Sequence, residues 1–373
     1  MSMSVESVSA PARVAELGEG ITVDELRLAA RNHGMPLEAL HYDVTPVGLH
    51  YLLTHYDIPV IDPAAWRLAV DGAVPRPLSL SLDDLRAREP VTHRVTLECA
   101  GNGRARLEPR PVSQPWLDEA VGTASWTGAR LADVLGEAGL RDGARLLDAA
   151  VDVAFTGADR GVERGEEQVY RRGLPVAEAL RDDVLLAYEM NGQPLPPQHG
   201  APVRLVVPGW YGMAHVKWLV GVTVLDAPFD GFQNVTAYRV KREPDEPGEP
   251  VTRILPRALI RPPGIPDFQS RVRIVDRGRV VLTGRAWSGW APVLGVDVSA
   301  DGGGSWAAAE LGPQPDTYAW RPWRFTWEAP EPGRYALRAR ARDGAGHVQP
   351  VEAAWNRQGM ANNHAQLVDV VVR

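Results

Sequence analysis

The spacing of apolar residues divides this chain into two parts with different periods. From about Pro59 onward, short β-like runs alternate with helical ones. Trp66-Arg67-Leu68-Ala69-Val70-Asp71-Gly72 reads as a strand, and Leu80-Ser81-Leu82-Asp83-Asp84-Leu85 as a cap followed by a short helix. Residues 127–139 predict another helix, with Gly139 as its stop signal. Val203-Arg204-Leu205-Val206-Val207 and Leu219-Val220-Gly221-Val222-Thr223-Val224 are nearly continuous apolar runs, as buried strands are. The first forty residues carry a mixed pattern that predicts an irregular or partly helical lead-in.

A polar, proline-rich stretch over 241–250 has the composition of a linker. Beyond it, residues 280–287, 296–299, 323–327 and 334–339 alternate with period two. Turn signals such as Asp301-Gly302-Gly303-Gly304 and Pro332-Gly333 separate them. This punctuation predicts an all-β sandwich of about a hundred residues. A length of 373 residues agrees with two cores. The division is an α+β (mixed α/β) domain over 1–245 and an all-β domain over 246–373. No Gly-rich loop opens a long helix, so a doubly wound nucleotide-binding fold is not supported.

Composition narrows the function. A hydrophobic fraction of 45% and a charged fraction of 23% are those of a soluble globular protein. A net charge of −7 argues against a general nucleic-acid or anionic-membrane binder. No apolar run approaches the length of about 20 residues that a membrane helix needs. The first residues show no basic, apolar or twin-arginine signal, which makes the cytoplasm the expected compartment. Arginine far outnumbers lysine, as GC-rich bacterial genomes favour.

The one cysteine, Cys99, ends a β-branched run and is followed by Ala100-Gly101-Asn102-Gly103-Arg104. One cysteine allows neither an internal disulfide nor a cysteine-cluster metal site, so the thiol either packs as a small hydrophobe or does chemistry. Two glycines around an asparagine force a tight, backbone-exposed turn, and Arg104 stands close enough to keep a thiol ionised. A core thiol needs neither.

Glu98-Cys99-Ala100-Gly101-Asn102-Gly103-Arg104 resembles the signature of the sulfite oxidase family of mononuclear molybdenum enzymes. Similar segments follow in order: Trp126-Thr127-Gly128-Ala129-Arg130-Leu131; Leu185 through Leu195, with Tyr188-Glu189-Met190-Asn191-Gly192; His199-Gly200-Ala201-Pro202-Val203-Arg204; His215-Val216-Lys217-Trp218; and, late in the chain, Ala286-Trp287-Ser288-Gly289, Ala319-Trp320-Arg321-Pro322-Trp323 and Trp355-Asn356. The resemblance implies a molybdopterin-binding domain followed by an immunoglobulin-like domain that mediates homodimerisation. It implies a molybdenum cofactor held by a pterin dithiolene, with Cys99 as the protein's metal ligand. A soft thiolate suits such a metal.

His199, Arg204, His215, Val216 and Lys217 match the family's cofactor-binding positions, and Asp159 and His55 are further candidates. Arginine and lysine meet phosphate with charge-assisted bonds. Taken alone, His199 and His215 read as satisfied loop histidines, and their ordered spacing with Arg204 and Lys217 turns the reading to cofactor binding. Arg104, Trp116, Tyr188 and Arg321 match the family's anion-binding set, with Tyr188 as phenolic donor, Trp116 as a wall, and Arg321 reaching over from the second domain. Without the resemblance, Trp116 reads as a core aromatic and Arg321 as a solvated strand charge.

The pattern breaks in two places. Thr54 stands where the family carries an arginine that binds the substrate oxyanion, within Tyr51-Leu52-Leu53-Thr54-His55-Tyr56, and Gly103 replaces the first arginine after the asparagine. Losing one charged hydrogen bond from a buried anion site costs about 1.5–3 kcal/mol. His55 compensates only if protonated. No Cys-x-x-Cys-His heme motif is present, so electrons are expected to pass to a separate acceptor, as in heme-free bacterial forms. The leading expectation is oxidation of sulfite to sulfate. The alternatives are reduction of nitrate or an S-oxide at the same cofactor, and a non-catalytic β-sandwich interaction protein.

Overall fold

Thr22 opens the first helix with a reciprocal cap: its hydroxyl accepts from the Glu25 amide, and the Glu25 carboxylate accepts from the Thr22 amide. That helix, Val23–Arg31, precedes a 3-10 turn at Leu37–His41. The computed structural model describes residues 13–142, 145–146 and 150–373, so the lead-in and leader expectations for residues 1–12 lie outside the described residues.

Two sheets build the first domain. In one, Leu68–Gly72 runs parallel to Leu219–Leu225 and antiparallel to Leu78–Leu80, and the hairpin Asp152–Glu163 with Glu166–Pro175 extends the far side. In the other, Val91–Glu98, Val121–Arg130 and Leu185–Met190 pair antiparallel, with Arg204–Val206 also bonded to Leu185–Met190. Ser81 caps the short helix Leu82–Arg86 as its sequence predicts.

The helix expected over 127–139 starts late, its first four residues being strand. Thr127 and Gly128 pair with both neighbouring strands and Ala129 and Arg130 with Leu185–Met190 alone, and only Leu131–Glu137 is helical. Gly128 explains the difference: a Cβ there would lie 2.2 Å from the Leu186 carbonyl oxygen, so the glycine permits a close strand crossing that a helix would not use. Gly139 follows the helix with φ of 90°, the left-handed stop the sequence implies.

The proline-rich stretch forms the loop of a hairpin, Arg239–Val240 with Glu249–Pro250. The second domain is an immunoglobulin-like sandwich of a four-stranded and a six-stranded sheet. Its own core contains Leu282, Val296, Val298, Trp323, Trp327 and Leu337. A separate apolar cluster, including Leu97, Cys99, Trp116, Trp126 and Val206, surrounds the end of the strand Val91–Glu98. Among the described residues no helix is long and apolar enough to cross a membrane.

Candidate molybdenum-cofactor site

The strand Val91–Glu98 delivers Cys99 into a tight turn. The Cys99 amide donates to Ala120 O (2.9 Å), the Asn102 amide returns to Cys99 O (3.0 Å), and Gly103 turns the chain with φ of 89°. Asn102 fastens the turn twice: Nδ2 donates to Glu98 Oε1 (3.0 Å), and Oδ1 accepts from the Ala120 amide (3.1 Å). The thiol is buried but lines a cleft of about 640 Å³, open mouth included. Burial pushes the thiol pKa up and Arg104 opposes it, so a bare thiolate is disfavoured until a cation or metal compensates it. The indole of Trp116 lies beside the thiol with its N–H otherwise unpartnered.

One stretch, 197–218, brings the positive charge. The fully buried Arg204 donates from Nη1 to His199 O (3.0 Å) and from Nη2 to His215 O (3.2 Å), and stacks 4.7 Å above the Trp126 ring; its Nε has no partner. Lys217 Nζ donates to Leu53 O (2.9 Å) and Gln198 O (3.1 Å). Burial, with Arg204 nearby, brings the Lys217 pKa down to about 7. Burial raises the Asp159 carboxyl to about 6. The His199 ring makes no hydrogen bond among the described residues and meets the His50 ring edge-on at 5.6 Å.

His215 has a different job. Its Nδ1 accepts from the Val207 amide (3.1 Å), so Nε2 carries the proton and donates to Trp210 O (3.0 Å). Both ring nitrogens are spent, and the residue offers the cleft only the carbonyl that holds Arg204. Val216 is a core residue and is not among those lining the cleft.

The other end of the cleft is aromatic. Tyr170 donates to Met213 O (2.8 Å), and Tyr238 Oη stands 2.5 Å from His55 Nε2. Burial, with Lys217 and Arg104 nearby, lowers the His55 pKa to about 3, so it contributes no positive charge at neutral pH. Thr54 is not at the lining: its amide donates to Asn32 Oδ1 (2.7 Å), and the segment presents Leu53 and His55 instead.

The structure does not bring Tyr188 or Arg321 to Cys99. Tyr188 faces the other side of its strand, in the core beside Arg86 (5.9 Å from the ring). Arg321 spends its donors inside the sandwich, from Nε to Gly312 O (2.7 Å) and from Nη1 to Val293 O (2.9 Å). Arg104 lies behind the cleft wall. Its Nε donates to Gln358 O (2.8 Å) and its Nη1 to Gln114 O (3.0 Å). Tyr170, Tyr238, Tyr51 and His50 line the cleft without having been singled out from the sequence. Tyr170 shares its strand face with Gln168 and Arg172, so no apolar period marked it.

These residues fit a pterin-held metal. One thiol, two desolvated cations, an unbonded imidazole and the orphaned N–H groups of Arg204 and Trp116 open on or abut one cleft. Family models agree. Residues 55–233 match the oxidoreductase molybdopterin binding domain, and residues 264–372 the Mo-co oxidoreductase dimerisation domain. The chain carries the domain pair of the molybdenum-cofactor oxidoreductases, and it spans about 62% of the length of the mammalian relatives it matches.

Curated relatives narrow the class. The chain is 37% identical over 348 residues to the mitochondrial sulfite oxidase of Mus musculus, covering 88% of this chain and 62% of the relative. It is 37% identical over 343 residues to the sulfite oxidase of Gallus gallus, covering 85% and 71%. An NADH nitrate reductase of Ulva prolifera is 30% identical over 371 residues, covering 91% and 42%. Among solved structures, the sulfane dehydrogenase SoxCD from Paracoccus pantotrophus superposes with a TM-score of 0.76 at 24% identity, over 98% of this chain and 94% of that one; it shares the fold. The chain belongs to the sulfite oxidase family.

Proposed function

We propose that the chain oxidises sulfite to sulfate, taking the oxygen from water and passing two electrons to a separate acceptor. The observation that carries this reading is the convergence of the chain's single thiol and two desolvated cations on one cleft. When bound, the molybdenum cofactor supplies a two-electron centre able to exchange an oxygen atom with substrate. Cys99 binds the metal. Lys217 and Arg204 face the pterin phosphate, and His199 donates from its free ring. His215 acts one step back, holding Arg204 through its carbonyl. Asp159 accepts from pterin N–H groups.

At the substrate end, Tyr238 orients the bound oxyanion with His55 Nε2 as its own partner, Tyr170 joins it by exchanging its bond to Met213 O for one to substrate, Trp116 closes one side, and Leu53, Leu97 and Met213 exclude water. His55 enters this reading through its bond to Tyr238. The two domains divide near residue 245, and the sandwich pairs two copies of the chain, in keeping with the dimerisation family it matches. We place the protein in the cytoplasm.

Anaerobic addition of sulfite to cofactor-loaded protein tests the reading. Bleaching of the thiolate-to-metal absorption with a transient Mo(V) resonance is the expected result. A second reading, reduction of an oxide, is favoured by one observation: the Arg104 guanidinium is committed to backbone carbonyls and does not line the cleft. Reoxidation of the chemically reduced centre by nitrate or dimethyl sulfoxide, with no response to sulfite, would replace the first reading by the second.

A further inference from the structure

The turn that carries Cys99 takes donors from the second domain: Ala100 O has its donor there, and Gly103 O, which already accepts from the Arg106 amide (3.0 Å), takes a second one. Between its last two strands, Gly333–Asp343 and Leu367–Val372, the sandwich sends out a long excursion. Its residues 356–362 lie across the cysteine turn. The Ala361 amide donates to Ala100 O (2.7 Å), and Asn362 Nδ2 donates to Gly103 O (2.7 Å). The Gln358 carbonyl accepts from Arg104 Nε, and Met360 Sδ lies 3.7 Å from Arg104 Nη2.

The fit is close. A Cβ at Gly359 would stand 2.6 Å from Arg104 Cγ, and one at Gly103 would stand 2.9 Å from Asn362 Nδ2. Ala361 holds the left-handed region at φ of 52°, an unfavourable conformation for alanine that surrounding contacts must over-determine. Asn356 supplies them from within, accepting from the Met360 amide and donating to the Met360 carbonyl, both at 2.9 Å.

A second set of contacts reaches the residue before the thiol. Trp287 Nε1 donates to Glu98 Oε2 (2.8 Å), and Arg257 Nε stands 2.8 Å from Glu98 Oε1, all three residues being almost fully buried. Residues of the sandwich domain therefore hold the cysteine on both sides, at Glu98 and at Ala100 through Arg104.

We propose that segment 356–362 is a working part of the metal-ligand site, with Asn362 as a positioning residue that fixes the cysteine turn. The same segment, through the Gln358 carbonyl, keeps Arg104 out of the cleft. The inference rests on Cys99 as the metal ligand. Without Asn362 the Gly103 carbonyl is left with the Arg106 amide alone, which loosens the peptide planes after Cys99, and rotation there changes the direction and exposure of Sγ. The sandwich then sets the active-site geometry within its own chain, apart from any role in pairing subunits.

The single cysteine makes the test clean. Alkylation of the full-length, cofactor-free chain by iodoacetamide reports Cys99 alone, and the Mo(V) resonance of the loaded chain reports the thiolate's orientation. Asn362→Ala is expected to raise the alkylation rate about tenfold, on the scale of one lost buried hydrogen bond and the local opening it permits. It also shifts the resonance. Asn363→Ala is the control: Asn363, next after the segment, donates from Nδ2 to Pro256 O (3.0 Å) without touching the turn. It should lower the Tm to a similar degree and leave both readouts unchanged. Where Asn362→Ala does not accumulate as folded protein, Asn362→Asp removes the same donor while keeping the acceptor for His364. Equal alkylation rates in the wild type and the Asn362 variants, or equal increases with the Asn363 control, overturn the proposal. Failure of the unmutated chain to take up molybdenum sinks the cofactor reading instead, and the alkylation comparison still decides the role of Asn362.

Discussion

At one end of the cleft, Arg204 and Lys217 rest their donors on the carbonyl oxygens of His199, His215, Leu53 and Gln198; at the other, Tyr170, Tyr238 and His55 present neutral rings. The first end has already met the cost of desolvating two cations, so an arriving polyanion gains charge-assisted bonds without moving them. The second end offers phenolic donors in an apolar wall and no free cation. One holds a phosphate by charge; the other selects and orients by hydrogen bonds and shape. Between them, Cys99 is the one thiol of the chain.

Removing that ligand has the largest expected effect on the comparison. Cys99→Ser leaves both ends intact, so the pterin phosphate still has its donors, yet molybdenum content and turnover should fall below detection. Metal analysis of purified protein checks this. Full molybdenum occupancy in the variant would show that the charged end alone retains the cofactor and that the thiol is dispensable.

Next comes the charged end itself. Lys217→Met removes one charge-assisted bond, and cofactor affinity should drop about ten- to a hundredfold. The same lysine gives the site a pH dependence with a definite sign. Its folded pKa is depressed to about 7 by burial, from 10.5 in the unfolded chain. Between these values the unfolded chain carries a proton that the folded one lacks, so the stability of cofactor-free protein rises with pH through that window. Phosphate binding needs the proton back. Apparent cofactor affinity should therefore fall as pH climbs above about 7, by up to a factor of about ten per pH unit. Lys217→Arg should flatten the profile; a flat wild-type profile between pH 6.5 and 8.5 would remove Lys217 from the phosphate site.

The neutral end should respond more gently. Tyr238→Phe deletes one phenol and strands His55 Nε2, and the substrate KM should rise about three- to tenfold with cofactor content unchanged, the scale of a single neutral hydrogen bond. An equal loss of cofactor would mean that the two ends are not separate.

The contrast also explains what was legible in the sequence. The charged end comes from one contiguous stretch in which two histidines, an arginine and one of only two lysines follow at short intervals. Such a stretch can be read as a unit, although nothing in it announced that His215 would spend both nitrogens internally. The neutral end is assembled from a strand residue, Tyr170, and loop residues near 55, 116 and 238, in four separate stretches of the chain that no spacing links. Period-two patterning located the sandwich, and capping chemistry located the helix after Ser81. It failed over 127–130, where Gly128 serves a strand crossing that only tertiary contacts define.

Tyr188 separates a reading by motif from a reading by geometry, and its substitution should have the smallest effect. Its motif, Tyr188-Glu189-Met190-Asn191-Gly192, is among the segments that most resemble the family, yet strand alternation turns its ring away from the cleft. The hydroxyl makes no hydrogen bond among the described residues, and the ring contacts Arg86 from a buried position. Tyr188→Phe keeps the ring and its packing. Stability should stay within about 0.5 kcal/mol, as for substitutions that break no buried bond. Turnover should stay within about twofold, since less than half a kcal/mol separates such rates. Steady-state kinetics beside Tyr170→Phe decide the matter. If Tyr170→Phe slows turnover and Tyr188→Phe does not, the phenol at the metal comes from the hairpin strand Glu166–Pro175. The reverse ranking would mean that the strand Leu185–Met190 presents its other face to substrate in the working enzyme.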